Sequence, residues 1–97
     1  MAYWLLEYDL VDDYVERRAA LRQGHLGLAR EAYVRGDLLL AGALAEPVDR
    51  AVLVWRVDDP SVIEDFARRD PDVVQGIVRS WRVRPWTVVV GEGAASV

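Results

Sequence analysis

Residues 13–34 follow a helical pattern of apolar and polar positions. The stretch begins with acidic side chains, contains no proline and leads to Gly36, a residue suited to the turn after a helix. At about 100° per residue, its apolar residues fall in one broad arc that should face the rest of the protein: Tyr14, Val15, Leu21, Leu26, Leu28, Ala29, Ala32 and Tyr33. Arg18, Arg22 and His25 fall in the same arc. Because a charge on the buried side of a helix is costly unless it is paired or faces a cavity, these three are candidate functional residues.

Runs of apolar and β-branched residues predict the strands of a sheet. Residues 2–8 form the first run, and residues 38–44 and 51–57 flank a turn-forming sequence, which predicts a hairpin. The Asp-Asp-Pro-Ser sequence at 58–61 predicts the start of a second helix that ends near Arg69. Residues 77–84 predict a further strand, interrupted at Pro85 and continued by residues 86–90.

The predicted order is β-α-β-β-α-β with an extra C-terminal strand. Since each β-α-β half requires a right-handed crossover, this order predicts an α+β, ferredoxin-like subunit with both helices on one face of the sheet. The other face would be bare, although the strand runs are apolar on both sides. An exposed apolar face of this kind usually meets a partner. We therefore expect a homodimer in which two sheets pack face to face as a dimeric α+β barrel.

Length and composition predict one folded domain. The chain has 97 residues, of which 53% are hydrophobic and 29% charged, a balance typical of a globular protein. We expect a single domain over residues 1–90 and a flexible tail of small and polar residues over 91–97. No apolar run has the length of a membrane span, and Glu7 and Asp9 interrupt the apolar N-terminus. The expectation is a cytoplasmic protein with no membrane association.

Charge and residue usage exclude several classes of function. A net charge of −4 argues against nucleic-acid binding, which requires a basic surface. The absence of lysine excludes a Schiff base, and the absence of cysteine excludes a thiol nucleophile, disulfides and thiolate metal sites. With one histidine and no clustered carboxylate motif, we expect no metal and no cofactor.

Four short motifs resemble, in order, those of the YciI-like (YCII-related) proteins. They are Arg18-x-x-x-Arg22-x-x-His25-Leu26, Gly36-x-x-Leu39-x-Ala41-Gly42, Asp70-Pro71-x-Val73-x-x-Gly76 and Val83-x-Pro85-Trp86. The resemblance extends from the first strand to Trp86. It implies a dimeric α+β barrel of ferredoxin-like subunits and an active site built on a His–Asp dyad. In this chain the dyad corresponds to His25 and Asp70, and Arg18 matches an arginine beside the same pocket.

Two departures from the family pattern bear on the substrate. Many of these proteins have an aromatic residue after the Asp-Pro pair, where this chain has Asp72. The hairpin over residues 43–50 is also shorter than in relatives that carry a glycine-rich insertion there. The first difference alters the wall or the charge of the pocket, and neither affects the expected fold.

The candidate residues have a catalytic and a structural interpretation. His25 can exchange a proton near neutral pH, and a carboxylate from Asp70 on one ring nitrogen would orient it as in catalytic triads. Alternatively, His25 satisfies a buried hydrogen bond and Asp70 caps its own turn. Arg18 and Arg22 would suit a carboxylate, enolate or phenolate. Alternatively, Arg22 pairs with Asp70, Asp72 or a carboxylate of a partner chain and only stabilises the dimer.

Three functions follow from these interpretations. The first is a small cofactor-independent enzyme of the lyase, isomerase or dehydrohalogenase type, acting on a small anionic metabolite that is cyclic or aromatic. The second is a non-catalytic, ligand-binding or regulatory dimer that uses the same cleft. The third is a dimer whose polar cluster only stabilises the interface. Aromatic residues such as Tyr8 and Tyr14 are interpreted as core and interface rather than as pocket walls.

Overall fold

A computed structural model describes residues 2–94 as one sheet with helices on one of its faces. The strands are β1 (Ala2–Leu10), β2 (Leu38–Ala43), β3 (Arg50–Val57) and β4 (Val78–Trp86). The helices are α1 (Tyr14–Arg18), α2 (Arg22–Val34), α3 (Ser61–Arg69) and α4 (Pro71–Val74). None of these helices, within residues 2–94, is long and apolar enough to cross a membrane.

The sheet has the strand order β2-β3-β1-β4, and all neighbouring strands are antiparallel. This order confirms the predicted α+β, ferredoxin-like fold, in which the first strand lies between the third and the fourth. Leu6 of β1 pairs with Leu53 of β3 on one side and with Val83 of β4 on the other. Successive residues of a strand point to opposite faces of the sheet, so a shift of one residue would turn every buried side chain outward. Burial of one face therefore specifies this register.

The core lies between the sheet and the helices. Alternate residues of β1 and β3 are buried on this side, which fits the period of a strand with one covered face. The largest buried side chain, Trp55 of β3, meets Phe66 of α3 with 5.0 Å between the ring centroids and an interplanar angle of 69°. This edge-to-face contact holds α3 against the centre of the sheet.

The prediction of one continuous helix over residues 13–34 is wrong. Residues 19–21 form a turn between α1 and α2, although alanine and leucine favour helix. Both helices are attached to the same buried acidic cluster, α1 through the Tyr14 hydroxyl and α2 through the His25 ring. Since local sequence does not break the helix, we attribute the turn to these tertiary contacts.

The predicted helical arc is buried only in part. Tyr14, Ala29 and Ala32 are buried as expected. Val15 and Tyr33 lie in the same arc and are exposed. The arc is therefore wider than the face that the sheet covers.

The C-terminal part differs from the sequence prediction. Pro85 does not interrupt β4, and the extra strand predicted over residues 86–90 is wrong, because residues 87–94 contain no strand. Proline is tolerated here because β4 is an edge strand. The described part of the predicted tail forms a turn over residues 91–94, and the Tyr3 hydroxyl donates a hydrogen bond to the Glu92 carbonyl. Residues 95–97 lie outside the described residues.

The face of the sheet opposite the helices, here called the outer face, is divided into an apolar and an ionic half. Alternation along β1 and β3 puts Leu5, Val52 and Val54 in the apolar half, and Leu40 joins them because an irregularity after Leu38 pairs it with Val54. The ionic half is built around Asp9, whose carboxylate lies 3.1 Å from Arg50 Nη2 and 3.0 Å from Arg82 Nη1. The outer face is therefore less uniformly apolar than the sequence predicted.

Candidate active site

His25 and Asp70 are in direct contact. The Nδ1 atom of His25 lies 2.9 Å from each carboxylate oxygen of Asp70. His25 is held by the first turns of α2, and Asp70 ends α3 in an extended conformation, with φ −64° and ψ 122°. This conformation is expected for a residue that precedes proline. Asp70 is therefore also the cap of α4, where its side chain accepts a hydrogen bond from the Asp72 amide at 3.0 Å.

Two tyrosines, which the sequence analysis assigned to the core, support the acidic side of this pair. The Tyr8 hydroxyl of β1 donates to Asp70 Oδ2 at 2.8 Å, and the Tyr14 hydroxyl of α1 lies 3.3 Å from Asp72 Oδ2. Both rings are buried, so their hydroxyls require partners inside the protein. Asp70 thus accepts hydrogen bonds from Tyr8, His25 and the Asp72 amide.

Asp72 places a second buried carboxylate beside His25. Its Oδ2 atom lies 3.6 Å from His25 Nδ1. Its Oδ1 atom is buried and has no hydrogen-bond partner among residues 2–94. Such an atom is unusual in a folded protein, because burying an unpaired polar group costs free energy.

The pKa values reflect this crowding. Burial lowers the pKa of His25, but the hydrogen bond and charge of Asp70 and the charge of Asp72 outweigh it, so this pKa is raised above its ordinary value. Burial raises the pKa of Asp72 above the usual range of an aspartate. Burial, followed by the charge of Asp72, raises the pKa of Tyr14 to about 12. Burial and the neighbouring Asp70 also raise the pKa of Tyr8, so both tyrosines are hydrogen-bond donors at neutral pH.

A cavity of about 120 Å³ opens beside the histidine. Arg18, Arg22 and His25 line it together, as the helical arc predicted. Its opposite wall is apolar and comes from the sheet, with Ala41, Gly42, Ala43 and Leu53 among the lining residues. The cavity therefore has a cationic and an apolar side, which suits a small flat anion.

Both arginines of the cavity lack an acidic partner. Within residues 2–94, no carboxylate oxygen lies within 4.0 Å of the Arg18 or Arg22 guanidinium. Arg18 instead lies over the Tyr14 ring, 5.7 Å from its centroid. The alternative in which Arg22 pairs with Asp70 or Asp72 is therefore wrong for this chain. Both guanidinium groups keep their hydrogen-bond donors available for a ligand.

His25, Asp70 and Asp72 also have the composition of a metal site. Each offers one ligand atom, and these atoms lie within 4.8 Å of one another. However, the His25 Nδ1 atom and both Asp70 oxygens already form hydrogen bonds with protein groups. The cluster is better described as a hydrogen-bonded charge network, and the expectation of a metal-free site stays a prediction.

Sequence reasoning missed Tyr8, Tyr14 and Asp72. Alternation along β1 places Tyr8 on the covered face, but it does not indicate that its hydroxyl meets Asp70. Asp72 was identified only as a departure from the family pattern. Its proximity to His25 depends on the docking of α4 against α2, which no local pattern encodes.

Comparisons with known proteins agree with this fold. A family model described as "YCII-related domain" matches residues 1–87. The 5-chloro-2-hydroxyhydroquinone dehydrochlorinase of Burkholderia phenoliruptrix, solved in complex with 2,5-dihydroxybenzoquinone, is similar with a TM-score of 0.75 and 13% identity, covering 96% of this chain and 99% of that chain. No relative among curated proteins matches the sequence.

Two structures from Agrobacterium tumefaciens are also similar to this chain. One has a TM-score of 0.61 and 11% identity, covering 98% of this chain and 100% of that chain. The other, a NIPSNAP family protein, has a TM-score of 0.58 and 10% identity, covering 95% of this chain and 94% of that chain. At these identities the solved structures establish the fold alone.

Proposed function

The chain belongs to the YCII-related domain family, and on that premise we propose that it is a small enzyme of the lyase, isomerase or dehydrohalogenase type. It uses side chains for general acid/base chemistry on a small anionic metabolite that is cyclic or aromatic. The observation that carries this proposal is the 2.9 Å contact between His25 Nδ1 and Asp70 beside a cavity lined by two unpaired arginines. General acid/base catalysis needs a group that exchanges a proton and a second group that holds it in a fixed orientation. His25 and Asp70 have the chemistry for these two roles.

His25 exchanges the proton through its Nε2 atom. The contact with Asp70 occupies Nδ1 and fixes the orientation of the ring, so Nε2 is the ring nitrogen that remains for a substrate. Tyr8 holds the Asp70 carboxylate in place. Asp70 and Tyr8 are therefore positioning residues, and His25 is the catalytic residue.

The arginines determine the class of substrate. Arg18 of α1 and Arg22 of α2 line the cavity, seven and three residues before His25. Their guanidinium groups stabilise a carboxylate, enolate or phenolate as charge develops during the reaction. The apolar wall from β2 and β3 accommodates a ring or a double bond.

Elimination is one reaction that needs only these groups. A base removes a proton from the substrate, the electron pair of the broken bond forms a new double bond, and the leaving group departs with its own bonding pair. The structurally similar Burkholderia phenoliruptrix protein is a dehydrochlorinase, and loss of HCl is an elimination. Isomerisation requires the same proton removal, followed by return of a proton to a different atom.

The active form in this proposal is a homodimer joined through the outer face. Leu40, Val52 and Val54 belong to an apolar half-face that the helices of this chain leave uncovered. Burying such a face against a second copy removes it from water. The ionic half of the outer face holds half-exposed pairs around Asp9, and desolvation of such charges is costly. We therefore place the dimer contact on the apolar half.

The proposal is tested with compounds suggested by the structural neighbour. Chloride release from 5-chloro-2-hydroxyhydroquinone and binding of 2,5-dihydroxybenzoquinone are measured for the wild type, His25→Gln and Asp70→Asn. A panel of hydroxylated aromatic acids and unsaturated carboxylic acids extends the assay to other flat anions. We expect turnover of at least one compound, reduced by about 100-fold or more in both variants, with circular dichroism showing that both variants remain folded at the assay temperature.

The outcomes separate the candidate functions. Turnover that survives in both variants contradicts the proposed dyad. Binding without any product after long incubation supports the non-catalytic, ligand-binding dimer. Absence of both binding and turnover across the panel, with dissociation of the dimer in His25→Gln, supports a purely structural role for the cluster.

A further inference from the structure

Asp72 is a buried carboxylate that the dyad mechanism does not use. The side chain lies beside His25, with Oδ2 3.6 Å from the Nδ1 atom, and it is as buried as Asp70. Its hydrogen bonding is poor: Tyr14 reaches Oδ2 at 3.3 Å, and Oδ1 has no partner among the described residues. A buried carboxylate so weakly satisfied destabilises the fold unless a nearby positive charge compensates it.

The only cationic side chain within 4.0 Å of either Asp70 or Asp72, among residues 2–94, is His25. Arg22 of α2 and Arg18 of α1 lie at the cavity, farther from the two carboxylates. The remaining polar groups that face the cluster are the Tyr8 hydroxyl from β1 and the Tyr14 hydroxyl from α1, which are neutral donors. Two adjacent buried carboxylates therefore share one source of positive charge, the imidazole ring.

We propose that Asp72 is a positioning residue that keeps His25 in its imidazolium form at neutral pH, so that His25 acts first as a general acid toward a substrate that binds as an anion. A single carboxylate orients a histidine, whereas a second one beside the same nitrogen adds charge that disfavours loss of the ring proton. The charged ring also joins Arg18 and Arg22 in giving the cavity three positive groups.

This inference rests on the proposed function and reverses the order of its two proton transfers: His25 donates a proton before it removes one. The substrate enters as a phenolate or enolate, already deprotonated and attracted by the positive wall. Nε2–H transfers its proton to a carbon of the anion, where the electron pair of the enolate or phenolate forms the new C–H bond. His25, now neutral, removes a proton from a second C–H or O–H bond of the substrate, and the electron pair of that bond forms the product double bond. In an isomerisation the carbonyl π pair moves onto oxygen, and in an elimination the leaving group departs with its bonding pair. The ring returns to its starting state in both cases.

The test uses the wild-type protein first, because His25 is the only histidine and its ring gives a single set of NMR signals. The ¹⁵N chemical shifts of Nδ1 and Nε2 distinguish an imidazolium from either neutral tautomer. We expect both nitrogens to be protonated at about pH 7, above the ordinary pKa of a histidine. A neutral ring at this pH overturns the proposal without any variant.

The contribution of Asp72 is then measured with Asp72→Asn. The amide keeps the shape and removes the charge, so the midpoint of the His25 titration should fall by about one pH unit or more. Asp65→Asn is the matched control, since Asp65 is an exposed residue of α3 and its loss changes the net charge equally. Equal midpoints in Asp72→Asn and Asp65→Asn overturn the proposal.

The titration requires no turnover, so its result tests the role of Asp72 separately from the proposed function. Where a substrate is found, the pH profile of kcat/KM provides a second measurement. The alkaline limb, where His25 loses its proton, should move to lower pH in Asp72→Asn and stay in place in Asp65→Asn. A profile that rises with pH through the His25 titration identifies a general base and contradicts the inference.

Discussion

The Nδ1 atom of His25 lies 2.9 Å from Asp70 Oδ2, although 45 residues separate them in the chain. The contact joins the start of α2 to the junction of α3 and α4. Gly24 lies at the same junction, where an added Cβ atom would come within 3.1 Å of the Pro71 ring. Close approach of α2 to the Asp-Pro turn therefore brings the histidine within hydrogen-bonding distance of the carboxylate.

Tyr8→Phe tests the support of Asp70 from the sheet. The substitution removes the hydroxyl that donates to Asp70 Oδ2 at 2.8 Å and leaves a buried acceptor with one partner fewer. We expect the free energy of unfolding to fall by about 1–3 kcal/mol, measured by urea denaturation. Tyr33→Phe is the control, because Tyr33 is 63% exposed and its change should be within about 0.5 kcal/mol. Equal effects of the two substitutions would show that the hydroxyl of Tyr8 is not needed for stability.

His25→Gln tests the pH dependence of stability. The folded state raises the pKa of His25 above its ordinary value of 6.5, so protonation stabilises the folded protein. This contribution is fully present below pH 6.5 and is lost as the pH rises through the folded-state pKa. The difference in unfolding free energy between wild type and variant should therefore be largest at about pH 6 and should shrink toward about pH 9. A difference that is constant across this range contradicts the raised pKa.

Arg18→Gln tests the anion-binding role of the cavity. Arg18 forms no salt bridge within the described residues, so its removal should weaken ligand binding rather than folding. We expect the Kd of 2,5-dihydroxybenzoquinone, measured by calorimetry, to rise by about tenfold or more, since a hydrogen bond to a charged group contributes about 1.5–3 kcal/mol. Arg30→Gln on the exposed side of α2 is the control and should leave Kd unchanged. Equal weakening by both variants would indicate a general electrostatic effect.

Ala43→Leu tests the position of the ligand. Ala43 lines the 120 Å³ cavity from the end of β2 and is exposed, so a larger side chain fills the space without disturbing the core. Binding of 2,5-dihydroxybenzoquinone should weaken by about tenfold or more, while the NMR titration of His25 stays as in wild type. The same change at Ala45, an exposed residue that does not line this cavity, should have no effect on binding. Undiminished binding by Ala43→Leu would place the ligand elsewhere.

Leu40→Arg tests the proposed dimer. Leu40 belongs to the apolar half of the outer face and is 71% exposed in the single chain, so arginine is tolerated in a monomer but places a charge within the interface. Light scattering after size-exclusion chromatography should show a dimer for wild type and a monomer for the variant. Val74→Arg on α4, where Val74 is 61% exposed, should remain dimeric. A monomeric wild type, or a dimeric Leu40→Arg, contradicts the proposed interface.

Local patterns predicted the elements of the fold well where one face of an element is buried. Alternation in β3, with Ala51, Leu53, Trp55 and Val57 buried, matches the strand predicted over residues 51–57. The element order then permitted few topologies, because the connections have a preferred hand. Prediction failed where tertiary contacts overrode propensity, as in the turn between α1 and α2, and at Pro85, which an edge strand accommodates.

The sequence by itself determined the strand order and the inward direction of Arg18, Arg22 and His25, because the first follows from chain connection and the second from periodicity. Only the tertiary structure placed Asp72, Tyr8 and Tyr14 around His25 and Asp70. Contacts between residues far apart in the chain depend on how helices dock and on which hydroxyls satisfy buried carboxylates. Those choices are made by the packed interior as a whole, and no local pattern of residues records them.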